Sequence, residues 1–488
     1  MPKRRPQPGR PKQQLSEAAF AAIILAIHVA ITLYVGLHHE PWRDEADPWL
    51  MMRDGGVRTM LERTGYMGTP SLWYFLLAPL PRLGLPYVSM TILHLFISWA
   101  GVLVFLLYAP FPRWLRALFA FSYYAAYEYS VIARPYALLM LLLFAVMAAW
   151  PKRRERPIVV GVLVALLANV TTHALFMAML LGLLFLYEAM KEKRLGDRGA
   201  LVGMALMIAG GAITAWQLWP PSDAPKSHIL RAVDPESAAW AIANSLLPGA
   251  GLWIPFAITM CVLAVVTIAI GRRWHAQIFL WGSLLALLLI YALVWIDGYR
   301  HTGLILLAVI AALWMAHAYE GNTKWMSRAT ILLGLSMLYC VIVATRYWAH
   351  DVNEPFTGAK EMAVFIRANH LDRYEIAAHL PPMIEPILPY LPGKRFYYPG
   401  LQQNGSYMPW DSYYNSSVRM PYGMAAADAR NRFGRTWLLL VNTRMGDPEK
   451  YGFHLVFTNV QPPFAKTDER YWLYAPLDWG GAPLPEVR

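Results

Sequence analysis

Apolar runs of bilayer-spanning length recur along the first ~350 residues of the chain, separated by short polar segments. Few folds accept such a pattern. Backbone polar groups have no water to bond within hydrocarbon, so each run must satisfy them internally as helix. The fold class expected is therefore a polytopic α-helical membrane protein of about eleven spans, carrying a small extracytoplasmic α/β domain at its C-terminus. The spans lie near 17–37, 87–109, 114–131, 135–150, 158–170, 174–190, 199–219, 253–270, 277–296, 301–318 and 327–347. Composition agrees: 15% of residues are charged, against roughly a quarter in soluble proteins.

Charge orients the chain. Lysine and arginine gather in the N-terminal tail (1–16), in Phe111–Arg116, Pro151–Pro157 (PKRRERP), Lys191–Arg198 (KEKRLGDR), Gly271–Ala276 (GRRWHA) and Glu320–Arg328. Placing these segments in the cytoplasm meets the positive-inside rule. Contact with anionic lipid accounts for the net charge of +12, so no nucleic-acid partner is needed. The tail carries Lys3, Arg4, Arg5, Arg10 and Lys12. The apolar stretch after it, Ala18–Leu37, is longer than the core of a cleavable leader and is expected to remain as the first span. The two cysteines, Cys261 and Cys340, each sit in an apolar run, which argues against a structural disulfide or a metal cluster.

Two stretches are too short for two full crossings. Between PKRRERP and KEKRLGDR the chain reaches roughly 50 Å as helix, where two crossings need about 60 Å. A hairpin of two short helices turning at Asn169–His173 fits better. Arg116–Pro151 behaves alike and turns at Ala133-Arg134-Pro135, where proline breaks the helix. Irregular backbone below a membrane surface must line a polar cavity or be buried in protein, so both hairpins point to a cavity on the outer side holding Arg134 and His173.

Three outward segments remain: His38–Pro86, Pro220–Leu252 and the Asp297–His301 turn. In the first, Ser71–Pro81 is apolar but too short to span and is expected at the interface. From 348 to 488 no span-length run appears. A helix at Ala359–Asn369 and strands at Glu375–Ala378, Arg395–Tyr398, Thr436–Val441, His454–Thr458 and Arg470–Tyr474 predict an α/β domain. Asn404-Gly-Ser and Asn415-Ser-Ser match glycosylation sequons, which recur by chance. The transmembrane domain is 17–347, and its first outward loop, 38–86, holds the sharpest chemical signal.

That signal is Trp42-Arg43-Asp44-Glu45-Ala46-Asp47, three carboxylates directly beyond the first span. It reads either as a solvated loop with incidental ion pairs or as a reaction centre beneath the cavity. An Asp-Glu pair at this place resembles the GT-C superfamily of polyprenyl-phosphate-sugar glycosyltransferases, nearest to the protein O-mannosyltransferase and lipid A aminoarabinose transferase types. Gly68-Thr69-Pro70-Ser71-Leu72-Trp73-Tyr74 is similar to the family's His-Pro-Pro-Leu-Tyr-Tyr-like stretch, without its histidine. Val131–Leu138 (VIARPYAL) matches at a hairpin top. The resemblance covers the layout of about the first 350 residues, and these stretches in detail.

The resemblance implies that Asp44 is the catalytic base, with Glu45 beside it, in a single inverting displacement. A carboxylate within hydrogen-bond reach can take the proton of an attacking hydroxyl. Polyprenyl phosphate departs readily as an anion, so cationic donors rather than a second acid are needed. The candidates are Arg134, Arg300 and His301, with His173 behind them. Each has a plainer reading: a snorkelling arginine at 134, a loop marker at Arg300-His301, a packing histidine at 173. Glu128, inside a short span, should pair with a cavity cation, and His28, mid-span, should pack.

Glu45 and Asp47 could hold Mg²⁺ or Mn²⁺, but the resembling branches generally work without a metal, so no cofactor is expected. The expected partners are a polyprenyl-phosphate sugar donor, membrane lipid, and a glycan, lipid A or protein acceptor. The expected location is a cell inner membrane with the C-terminal domain periplasmic. A second reading is a transporter or flippase for a lipid-linked sugar. That class places polar residues near the midplane in two repeated halves, and no repeat is visible here.

Overall fold

The computed structural model describes residues 15–224, 233–296, 298–317, 324–411 and 420–485. The basic tail from Lys3 to Lys12, Asp297, the Glu320 end of the last basic segment and the Asn415 sequon lie outside the described residues.

The chain is mostly helical. Among the described residues eight helices are long and apolar enough to cross a membrane: α1 (Glu17–His38), α6 (Val88–Tyr108), α10 (Thr172–Lys191), α11 (Arg198–Gln217), α13 (Trp253–Ile270), α14 (Trp274–Leu293), α15 (Tyr299–His317) and α16 (Lys324–Asn353). Between α1 and α6 come α2 (Arg43–Leu50), α3 (Gly56–Met67), α4 (Leu72–Leu77) and α5 (Pro79–Arg82). Three expected spans fall short of that length: α7 (Arg113–Ala120), α8 (Tyr136–Ala149) and α9 (Pro157–Ala168). After α7 the backbone widens into a π-helical turn, Tyr124–Glu128, and then an irregular tip before Pro135. The second hairpin is unequal rather than paired short helices, since α10 runs a full 20 residues from its Thr171 cap.

Close approach explains how the short α9 is held. A β-carbon on Gly161 would lie 2.6 Å from the Gly203 carbonyl oxygen, and one on Gly203 would lie 2.6 Å from that of Pro157. A β-carbon on Gly210 would meet the Ala165 Cα at 2.7 Å. Helices α9 and α11 therefore touch backbone to backbone, as small residues permit where lipid supplies no hydrophobic drive.

The expected loop Pro220–Leu252 contains a helix, α12 (Pro235–Leu246), capped by the Asp234 carboxylate. Its buried end sits against α13 and α15, and side-chain hydroxyls meet three of the carbonyls where it breaks. The Asn244 oxygen accepts from Tyr124 Oη at 2.5 Å, that of Leu246 from Ser336 Oγ at 2.7 Å, and that of Pro248 from Tyr339 Oη at 3.1 Å. Irregular backbone inside the bundle is tolerated because side chains satisfy it. At the centre lies α15, 94% of whose apolar window is buried. His28 packs as expected, its Nδ1 2.7 Å from the Ala120 carbonyl oxygen.

α16 continues to Asn353, past the expected end at 347, and delivers the chain into the C-terminal part. There α17 (Ala359–Ala368), α18 (Pro381–Ile384) and α19 (Tyr422–Phe433) accompany six strands: β1 (Glu375–Ala378), β2 (Phe396–Tyr398), β3 (Gln403–Gly405), β4 (Trp437–Val441), β5 (Phe453–Thr458) and β6 (Trp472–Pro476). Their order is β3-β2-β1-β4-β6-β5, with β2, β1 and β4 parallel and the rest antiparallel. Both faces are covered, which is why β4 reads as a continuous apolar run. Leu439 and Val441 face α19, while Leu438 and Leu440 share a core with α17 and with Trp49, Leu50, Trp73 and Tyr74 of the segment after α1. The segment between α1 and α6 and the C-terminal sheet are thus packed as one body at this end of the helices.

Candidate active site

α2 begins at Arg43 and presents Asp44 in its first turn, where the helix N-terminus favours a carboxylate. Asp44 Oδ2 lies 2.9 Å from Arg300 Nη2 and 3.6 Å from Arg134 Nη2, and the Arg134 guanidinium also donates to the Asp44 carbonyl oxygen. The three residues come from α2, the hairpin tip and the first turn of α15. Burial opposes the charge on Asp44, yet Arg134 and Arg300, helped by Arg43 and Lys466, hold its carboxyl below the usual carboxylate range. The Asp44 side chain keeps 23% exposure, so it remains reachable.

Trp42 forms a floor beneath these charges. Lys466 Nζ lies 3.4 Å from its ring centroid, with the Arg300 guanidinium at 4.9 Å and that of Arg43 at 5.5 Å. Cations are favoured over an indole face. Arg43 reaches to the C-terminal domain, donating to Asp468 at 2.6 Å and to Met383 Sδ at 2.8 Å.

The predicted site residues separate into groups. Asp44, Arg134 and Arg300 meet directly. His301 Nε2 lies 2.8 Å from Tyr136 Oη, and its ring sits 4.8 Å from that of His173, deeper among the helices. The backbone of Arg300 and His301 is pinned by tyrosine hydroxyls: Tyr129 donates to the Arg300 carbonyl at 2.9 Å and Tyr291 to that of His301 at 2.6 Å. Glu45 faces away from Asp44 and is fully buried. Its Oε2 lies 2.9 Å from His39 Nε2, and its Oε1 accepts the Ala133 N–H at 2.5 Å. Asp47, one turn on, accepts the Met408 N–H at 2.9 Å, and burial pushes its carboxyl up to about 7.

Glu45 and Asp47 therefore diverge rather than share a cation. Among the described residues no group of three or more His, Cys, Asp or Glu is placed to hold a metal ion. Glu128, expected to pair with a cavity cation, accepts from Tyr123 Oη at 2.6 Å. The Gly68–Tyr74 stretch contributes Tyr74, which lies within electrostatic reach of Asp47, Arg134 and Asp44.

Sequence reasoning missed the contribution of the C-terminal domain. Glu385 is fully buried with neither carboxylate oxygen hydrogen-bonded, and it feels Asp47, Asp44, Glu469 and Arg43. Burial pushes it well above the ordinary range, and pushes Glu469 up to about 8. No local pattern marks these acids, because their neighbours belong to α2. Comparison of the chain with protein-family models and with curated proteins gives no match.

Proposed function

We propose that the chain is an integral-membrane inverting glycosyltransferase. In this reading it moves a sugar from a polyprenyl-phosphate donor to an acceptor hydroxyl at the outer, periplasmic face of a cell inner membrane. The single observation that carries the reading is the meeting of one reachable carboxylate, Asp44, with two guanidinium groups, Arg134 and Arg300, from distant segments. The GT-C resemblance implies Asp44 as the base, and both arginines are among the four clamp candidates Arg134, Arg300, His301 and His173.

The geometry supports a division of labour. Before substrate arrives, Asp44 offsets part of the positive charge of the two arginines. The donor phosphodiester carries one negative charge, as a carboxylate does, and competes for the guanidinium groups, whose fork matches phosphate oxygens. A second charge develops on the phosphate as its bond to the sugar breaks. As the arginines turn to the phosphate, Asp44 loses its counter-charges and its basicity rises. It can then take the acceptor proton while the arginines stabilise the departing phosphate. Trp42 and Lys466 extend the cationic floor, and His301 and His173 stand behind it. Glu45 acts by holding the hairpin rather than by touching substrate.

The test is transfer from a labelled polyprenyl-phosphate sugar by the purified chain in lipid. Asp44→Asn keeps the shape and removes the basicity, and should lower turnover by about 10²–10⁴ while donor still binds. Near-normal turnover by that variant would remove Asp44 as the base.

A further inference from the structure

His39 caps the C-terminus of α1, with its ring buried between two acids. Its Nδ1 lies 2.8 Å from Asp351 Oδ2 and 3.1 Å from Oδ1, and its Nε2 lies 2.9 Å from Glu45 Oε2. A neutral imidazole carries one N–H, so two carboxylate contacts call for the doubly protonated ring. Burial works against that charge, and Asp351 and Glu45 together carry His39 well above its ordinary range.

The contacts continue on both sides. Asp351 Oδ2 also accepts from Tyr127 Oη at 3.0 Å, within the π-helical turn that leads to the hairpin tip. Glu45 Oε1 accepts the N–H of Ala133, the residue before Arg134, at 2.5 Å. One chain of hydrogen bonds thus runs from α16 through the end of α1 and the first turn of α2 to the hairpin, touching the hairpin segment twice.

We propose that His39 and Asp351 are positioning residues for an oxyanion site at Arg134, acting through Glu45 and the Ala133 N–H. The inference rests on the proposed role of Arg134 as a phosphate ligand. A buried charge chain of this kind is a poor source of stability, because desolvating its members offsets their attraction. What it supplies is register. The tip between Tyr129 and Tyr136 has no regular backbone ladder of its own, so the direction of Arg134 depends on what its neighbours bond. Removing the charge at His39 leaves Glu45 without its charged partner, held by the Trp42 and Ala133 N–H groups alone. Asp351 lies at the end of the helix that enters the C-terminal domain, which links the docking of that domain to the same tip.

The experiment uses the full chain in detergent micelles and a long-chain polyprenyl phosphate as probe. His39→Gln and Asp351→Asn should each weaken binding roughly tenfold, as loss of one charge-assisted hydrogen bond would. Neither should weaken it further in an Arg134→Ala background, because residues acting through one another are not additive. Peptide-level hydrogen exchange should rise at the Ala133 amide in both single variants. Unchanged affinity and unchanged exchange in His39→Gln would overturn the proposal, as would a full additive loss in the Arg134→Ala background. Should His39→Gln fail to fold, Asp351→Asn gives the same two readouts. If the unaltered chain binds no polyprenyl phosphate, the proposed function fails, while exchange at Ala133 still decides whether His39 holds the tip.

Discussion

Asp44 carries one negative charge among four cations, and that imbalance governs what each side chain can do. Arg134 and Arg300 share its Oδ2, so neither is committed to it alone. A planar guanidinium can turn a bidentate edge from Asp44 to a phosphate, a fork that a lysine ammonium lacks. Arg134→Ala should therefore weaken polyprenyl-phosphate binding by about tenfold to a hundredfold, as loss of a charged hydrogen-bond donor does. Arg134→Lys should recover only part of that loss, since the charge returns without the fork. Binding isotherms on the purified variants give both values, and full recovery by lysine would argue that only net charge matters. Glu45 illustrates the limit of reading a motif by residue type. Its place beside Asp44 in sequence suggested shared chemistry, but successive residues on a helix face different ways. The turn that aims Asp44 at Arg300 aims Glu45 at His39.

At the scale of elements, the site depends on helices that do not reach full length. α7, α8 and α9 stop early, and the chain between them is closed by particular contacts rather than by regular ladders. The α9–α11 contact is the clearest case, because backbone meets backbone at Gly161, Gly203 and Gly210. A Gly203→Val substitution would put its Cβ 2.6 Å from the Pro157 carbonyl oxygen, with two further methyl groups to place. Overpacking of this sort costs about 1–3 kcal/mol, and it should lower the thermal midpoint in detergent while leaving phosphate affinity per folded molecule unchanged. A loss of affinity without a loss of stability would place α9 closer to the ligand than its contacts indicate. Proline at 135 and the Asn169–Thr172 segment made both turns visible in the sequence. The unequal lengths of α9 and α10 were not visible, because both runs are uniformly apolar and periodicity marks no end.

For the whole molecule, the joint between the C-terminal domain and the segment after α1 is unusually acidic. Asp47, Glu385 and Glu469 are buried there, with Arg43, Lys466 and Arg134 as the nearby cations. The folded-state values for Asp47, about 7, and Glu469, about 8, lie above their ordinary ones. Groups raised in this way bind protons more tightly in the docked state. Their contribution is fully present below the ordinary carboxylate range and is lost as pH rises toward about 8. Proteolysis or hydrogen exchange at the junction should thus increase between pH 5 and about 8.5. Glu469→Gln, which cannot ionise, should flatten that rise, and an unchanged pH profile in the variant would assign the effect to other groups.

What the amino-acid sequence determined by itself was everything that a contiguous stretch can carry. Hydropathy located the membrane-length helices, and alternating or unbroken apolar runs marked β1, β2, β4, β5 and β6. These signals are local, since burial of a span depends on its own residues. The resemblance supplied the role of Asp44, and the short hairpin placed Arg134 at a cavity, but nothing in spacing joins either to Arg300. Tertiary structure alone decided that Glu45 turns inward to His39, that His39 reaches Asp351, and that Glu385 and Glu469 close over α2. Those contacts join the first and last helices to the C-terminal sheet. Their partners are set by which helix ends meet in space, and no single segment records that.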